Sequence, residues 1–282
     1  MKNSNLPTEP YDPQTNKEAP MAGEAKNYYT VGVGSSIGIQ REHNEDAVFS
    51  VTTNLLTNQV NSSIGLYIVA DGMGGHLHGE IASELAVHAI VSSVIPGLLL
   101  FNTDERGEKP AENGRQLMEA GIDSAHQAVL HQAPGGGTTL TAMLIIGNQM
   151  TIAHIGDSRA YHIDDTGNAR VLTTDHSLVK RLQDLGQITS DEAAIHPQRN
   201  VLYRALGQVE SIDPEFISAP IPESGYLLLC SDGLWGVVPD QKMVEIIHSS
   251  DSPQQACQAL LQTANAAGGP DNISVIIIKI LQ

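Results

Sequence analysis

Five acidic positions stand at the ends of short apolar runs, and acids so placed can bind metal. Leu66–Ala70 ends in Asp71-Gly72, Tyr226–Ser231 ends in Asp232-Gly233, and Thr151–Ile155 ends in Gly156-Asp157. Asn44-Glu45-Asp46 directly precedes Ala47–Phe49, and Asp271-Asn272 directly precedes Ile273–Ile280. One Asp-Gly alone is ordinarily a turn, because Asp bonds its own backbone and Gly supplies positive φ. Five acidic strand termini are different, since strands of suitable direction would gather them at one end of the sheets. Gathered carboxylates repel one another, and each is pushed to hold its proton unless a cation compensates it. All-oxygen ligation selects hard ions such as Mg²⁺ or Mn²⁺. Two such ions about 4 Å apart can activate water and clamp an in-line displacement at phosphorus.

The elements that must position these acids are visible as β-type runs bounded by Gly, Asn and Asp. They are Tyr29–Val33, Ala47–Val51, Leu66–Ala70, Thr139–Ile146, Met150–Ile155, Ala160–Ile163, Tyr226–Ser231 and Ile273–Ile280. Between them, Gly79–Val94 repeats apolar residues at three- and four-residue spacings, the mark of a helix with one apolar stripe. Further helices are expected at about 115–132, 176–186, 240–248 and 253–267. Several strands follow one another across short turns, which predicts antiparallel sheets with helices outside rather than a regular βαβ alternation. Asn54–Ser63 and Asn102–Gly114 resemble insertions, and 187–222, with four prolines, is expected to be a loop-rich lobe.

Composition limits the partners. The chain has 282 residues, enough for one substantial core, and carries 32 acids against 15 Lys plus Arg, a formal charge of −17. Nucleic acid is bound chiefly through Lys and Arg, so that balance argues against it. Cys230 and Cys257 are too few for a disulfide framework and lack zinc spacing. A reducing, cytoplasmic setting is expected. No apolar run of about 18 residues is seen, so no membrane-spanning helix is expected. Residues 1–26 are polar and proline-rich, with no signal-peptide pattern, and are expected to be a disordered tail.

The motifs also come in a telling order: Gly38-Ile39-Gln40-Arg41-Glu42-His43-Asn44-Glu45-Asp46, Asp71-Gly72-Met73-Gly74-Gly75-His76, Gly137-Thr138-Thr139, Gly156-Asp157-Ser158-Arg159-Ala160-Tyr161, Ser231-Asp232-Gly233-Leu234-Trp235 and Asp271-Asn272. This series resembles the metal-dependent protein phosphatase family (PPM, type 2C), most closely its bacterial branch, over nearly the whole chain. The resemblance implies an α+β fold, a four-layer αββα sandwich of two antiparallel sheets flanked by helices, spanning 27–282. It implies phosphoserine and phosphothreonine proteins as substrates, a Ser/Thr kinase or that kinase's substrates among them, and Mn²⁺ or Mg²⁺ as cofactor, two per site with a third. Asp71 would bridge the two ions and the Gly72 carbonyl would join the second. Asp232 and Asp271 would hold the first, and Asp157 with Asp232 the third. Asp46, with Glu45, would orient the attacking water. The segment 176–206 would form the family's flap, and a monomer is expected.

In such a site Arg41 would hold two phosphate oxygens with its planar fork. Its alternative is a surface pair with Glu42 or Glu45. Eukaryotic members have His directly after Asp-Gly, and this chain has Met73 there. His76 is the candidate proton donor, with a structural role in a Gly-rich loop as its alternative and metal-bound water as the other source of the proton; His43 and His176 are weaker candidates. Other chemistries lack their residues. A cysteine phosphatase needs Cys and Arg six positions apart, whereas Gly236 follows Cys230 and Thr263 follows Cys257 at that distance. No Lys follows Gly135-Gly136-Gly137 to make a P-loop. The rival to an active phosphatase is a catalytically silent module of the same fold that binds phosphoprotein.

Overall fold

The computed structural model describes residues 28–56, 61–74, 77–101, 110–208 and 211–281. The expected tail and His76 lie outside the described residues, as does most of the Asn102–Gly114 stretch. Strands β1 (Tyr29–Ser36), β2 (Asp46–Leu56) and β3 (Asn61–Met73) precede two long helices, α1 (Leu77–Phe101) and α2 (Pro110–Gln132). Next come β4 (Gly137–Thr138), β5 (Leu140–Ile146), β6 (Gln149–Ile155), β7 (Arg159–Ile163) and β8 (Ala169–Val171). Short helices α3 (Leu178–Asp184) and α4 (Ser190–Ala194) lead to β9 (Glu215–Pro220) and β10 (Tyr226–Cys230). The chain closes with α5 (Asp232–Trp235), α6 (Asp240–Ser249), α7 (Pro253–Ala266) and β11 (Ile273–Ile280).

Two antiparallel sheets result, in the order β1-β11-β10-β7-β8 and β2-β3-β5-β6-β9, with β4 also paired to β3. Period-2 alternation decides which core each side chain joins. On β3, Leu66, Ile68 and Ala70 face Ala82, Ala86, Ile90 and Val94 of α1 and Met118 and Ile122 of α2. The intervening Tyr67 and Val69 face the other sheet, meeting Leu227, Leu229, Ile276 and Ile278. On the far side Leu228, Cys230, Val275 and Ile277 pack on Met243, Ile247, Cys257 and Leu260 of α6 and α7. Both faces of the inner strands are therefore buried, which is why β10 and most of β11 carry apolar residues on both faces although antiparallel. The expected αββα sandwich is present.

Two expectations are refined. Part of Asn54–Ser63 is regular strand: β2 and β3 extend into it, pairing Asn54 with Ser63 and Leu56 with Asn61. The 187–222 region contains elements that the prolines obscured. Strand β9 lies between Pro214 and Pro222 and pairs only with β6, an edge position where proline is tolerated. Helix α4 is closed by a capping box in which the Thr189 hydroxyl accepts from Glu192 N–H and the Glu192 carboxylate accepts from Thr189 N–H. Helix α1 is itself apolar, and His78–Leu98 would be long enough to cross a membrane by length and composition alone. Here Ala82, Ala86, Ile90, Val94 and Leu98 of that helix are core residues.

Candidate active site

The acidic termini converge. Asp46 opens β2 directly opposite Asp71 in the β3 register. Asp157 follows β6, Asp232 follows β10, and Asp271 precedes β11. Glu45, Asp71, Asp157, Asp232 and Asp271, with Gly72 and Arg41, line one cleft of about 540 Å³. Asp46 sits one layer deeper, its Oδ2 accepting from the Ser231 hydroxyl at 2.8 Å.

Short polar contacts hold this geometry. Asp71 is pinned through its backbone: its N–H donates to Thr139 Oγ1 (3.0 Å), and its carbonyl accepts from Thr139 N–H (2.9 Å) and Thr138 Oγ1 (3.0 Å). Asn272 ties the Ile37–Glu45 loop to the opposite side. Its Oδ1 accepts from Glu45 N–H (2.8 Å), and its Nδ2 donates to the carbonyls of Ile37 (2.9 Å) and His43 (2.8 Å). The glycines after Asp71 and Asp232 do not serve the turn expected of Asp-Gly. Gly72 lies within β3, where a Cβ would come 2.2 Å from the Gly79 carbonyl oxygen and 2.5 Å from that of Glu45. Gly233 lies in α5, where a Cβ would come 2.0 Å from the Asn272 carbonyl oxygen. Each lets backbone approach backbone beside a site acid. Gly72→Ala is therefore expected to cost about 3 kcal/mol, since neither obstructing carbonyl can rotate away. Urea unfolding checks this; a loss well under 1 kcal/mol would contradict it.

The electrostatics are those of an anion cluster short of cations. Burial, then Asp46, Asp232, Asp157 and Asp271, push Asp71 well above the ordinary carboxylate range. Burial raises Asp46 to about 7 against the hydrogen bonds from Ser274 and Ser231, and burial with Asp271 raises Asp232 to about 6. Asp157 is raised by burial, Asp232 and Asp175. Asp46 Oδ1 and Asp232 Oδ1 are buried without a hydrogen-bond partner. Unsatisfied buried carboxylate oxygens among mutually repelling acids are a donor set that fits hard divalent ions.

Arg41 stands at the rim. Its Nη2 donates to Asp271 Oδ2 at 2.7 Å, so its pairing is with a cluster acid rather than Glu42 or Glu45. Met73 occupies the strand position after Gly72, where its Sδ accepts from Gln208 Nε2 (3.2 Å). His43 lines the cleft, and Asn200 and Leu202 reach it from the 176–206 segment. His176 does not line it. His154, His176 and Glu215 form a second group close enough for a metal. However, the His176 Nδ1 accepts from Gly156 N–H (3.1 Å), and Arg204 Nη1 stands 3.3 Å from its Nε2. His154 is bracketed by the Thr141 hydroxyl (2.9 Å) and the Thr174 carbonyl (3.1 Å). These rings brace the backbone behind Asp157.

One cluster was missed in the sequence. Arg159 makes a two-pronged bond to Asp175, Nε to Oδ1 at 2.9 Å and Nη2 to Oδ2 at 2.7 Å. Its guanidinium lies 3.6 Å over the Trp235 ring, whose Nε1 donates to the Asp157 carbonyl at 3.0 Å. Trp235 is partly buried, packed against the core cluster beneath α6 and α7 while its indole N–H reaches the Asp157 backbone. No sequence spacing links these three residues; their common signal is that each lies within three residues of a site acid or of the flap.

A family model, "Protein phosphatase 2C", matches residues 31–273. The chain belongs to the protein phosphatase 2C family. This phosphatase is 35% identical over 244 residues to the serine/threonine phosphatase stp of Listeria welshimeri, covering 85% of this chain and 91% of that one. Among solved structures it is similar to the S. agalactiae serine/threonine phosphatase, with TM-score 0.76 and 30% identity over 90% of this chain and 100% of that one. It is also similar to the catalytic domain of the serine/threonine protein phosphatase PstP in complex with two manganese ions, with TM-score 0.70 and 32% identity over 90% and 99% of the chains. The phosphatase is accordingly a metal-dependent enzyme that acts on phosphoserine and phosphothreonine in proteins. The silent-module alternative is not favoured.

Proposed function

We propose that the acidic cleft holds two Mn²⁺ or Mg²⁺ ions, with a third beside them, and hydrolyses the phosphate ester without a phosphoenzyme. The observation that carries this is the convergence of five aspartates at one cleft, four of which, Asp46, Asp71, Asp157 and Asp232, are pushed above the ordinary carboxylate range by burial and by one another. When bound, the ions supply an activated water for attack at phosphorus. Asp71, opposite Asp46 and within hydrogen-bonding reach of Asp232, would be shared by the two ions, with the Gly72 carbonyl as a further oxygen donor. Asp232 and Asp271 would hold the first ion, and Asp157 with Asp232 the third.

The chain's other residues bind and orient. Glu45 and Asp46 accept hydrogen bonds from the attacking water. Arg41 exchanges its bond to Asp271 for two phosphate oxygens, its fork matching their geometry. His76 is the proposed donor to the leaving oxygen, because Met73 has no proton to give. The catalytic domain spans 27–282, and 176–206 serves as its flap. The enzyme works as a cytoplasmic monomer, away from membranes, opposing a Ser/Thr kinase.

The test is turnover of phosphoserine, phosphothreonine and phosphotyrosine peptides with Mn²⁺, Mg²⁺ or EDTA. Hydrolysis of the first two only with metal is expected. Undiminished activity in EDTA would overturn the metal reading, and a preference for phosphotyrosine would overturn the substrate reading.

A further inference from the structure

A second cleft, of about 530 Å³, continues the first along the inner side of the 176–206 segment. The two share Arg41, Asp157, Asn200, Asp232 and Asp271, so a group seated at the acidic cluster has open space beside it. One wall is built from α3, α4 and the turn through Arg199, the other from Trp235–Val237 and Pro270.

Its charge differs from that of the chain. Acids outnumber Lys plus Arg by 32 to 15 overall. In this lining the only acids are Asp157, Asp232, Asp271 and Asp175. The first three belong to the metal cluster, and Asp175 is neutralised by the Arg159 fork. Lys180 and Arg199 remain, with no acid in the lining to oppose them. Arg199 is exposed and has no ion pair among the described residues. Lys180 is held by Asp184 on its own helix, 54% exposed, in an i,i+4 pair. Such surface pairs are weak and are readily exchanged for a better anion.

We propose that this cleft is a subsite for a second phosphorylated residue near the one being hydrolysed, recognised by Arg199 with Lys180. The inference rests on the metal-cleft reading, since that places the first phosphate. An extended peptide leaving the acidic cluster along the flap wall brings a neighbouring side chain to these cations. A phosphate dianion suits the five-donor guanidinium fork better than a single carboxylate does. The other two cations of the lining are committed, Arg41 to the first phosphate and Arg159 to Asp175, while Gln183, Ser190 and Ala194 leave room without charge.

The experiment compares three threonine peptides: singly phosphorylated, doubly phosphorylated at spacings of two to four residues, and singly phosphorylated with Glu at the second position. At fixed Mn²⁺, kcat/KM for the doubly phosphorylated peptide is expected to exceed that of the singly phosphorylated one by about tenfold, one charge-assisted contact's worth. The gain should lie in KM, with Glu between. In Arg199→Glu and Lys180→Glu the ratio should collapse towards one; both side chains reach solvent, so folding is not at stake. If the parent protein hydrolyses no singly phosphorylated peptide with Mn²⁺, the metal-phosphatase reading itself fails. If it does, but all three peptides are equivalent or the preference survives both substitutions, the subsite is overturned.

Discussion

Asp232→Asn should lower turnover of a phosphothreonine peptide by about 10³-fold at saturating Mn²⁺, because a misplaced ion forfeits several kcal/mol of transition-state stabilisation. The same variant should be more stable than the parent in EDTA. Asp232 carries a buried, unpaired Oδ1 and a raised pKa, so its charge opposes folding when no cation is bound. Asn keeps the shape and removes the charge. The expected signature is therefore a melting temperature a few degrees above parent in EDTA, with a smaller rise on adding Mn²⁺. A structural residue would lose stability in both conditions. Near-parental turnover, or a melting temperature that drops in EDTA, would remove Asp232 from the metal site.

The metal-free protein should also lose stability as pH rises, against the usual behaviour of paired acids. Asp46 and Asp232 titrate near 7 and 6 in the folded chain and near 3.8 when unfolded. Between those limits the folded state holds protons that the unfolded state has released, so folding weakens as pH climbs through about 4 to 7. With Asp71 and Asp157 shifted the same way, the loss should reach a few kcal/mol. Mn²⁺ takes the place of those protons, so its stabilisation grows over the same window. At 100 times the dissociation constant an ion adds about 2.7 kcal/mol. Urea unfolding at pH 5 and 7.5, with EDTA and with Mn²⁺, isolates the cluster, because other carboxylates contribute equally to both series. A Mn²⁺ increment that is the same at both pH values would show that these acids do not bind the ion together.

The acids themselves were legible because strand ends are marked by local chemistry: an apolar run, then Asp with Gly or Asn. What the glycines do was not legible. Gly72 resembles a turn residue in sequence, yet it lies within a strand against which the Gly79 and Glu45 backbones pack, closer than a Cβ would allow. The same limit hid the supports. Ser231 bonds Asp46 from 185 positions away, and Asn272 bonds the Ile37 and His43 carbonyls from 235 and 229. Strand β9 escaped notice for a different reason. Prolines at its borders suggest a loop, and only the edge position makes them compatible with pairing. Helix α4 could have been found, since Thr189-Ser190-Asp191-Glu192 spells its capping box.

Trp235 is the only tryptophan in the chain, and its indole lies between the guanidinium of Arg159 and the backbone of Asp157. A cation close against the ring and a fixed acceptor on its N–H both influence the excited state of indole. The enzyme thus carries one intrinsic fluorophore at the corner where the flap meets the acidic cluster. Its emission is free of contributions from other tryptophans, and ion titrations or peptide docking can be followed optically without labelling the protein or waiting for product.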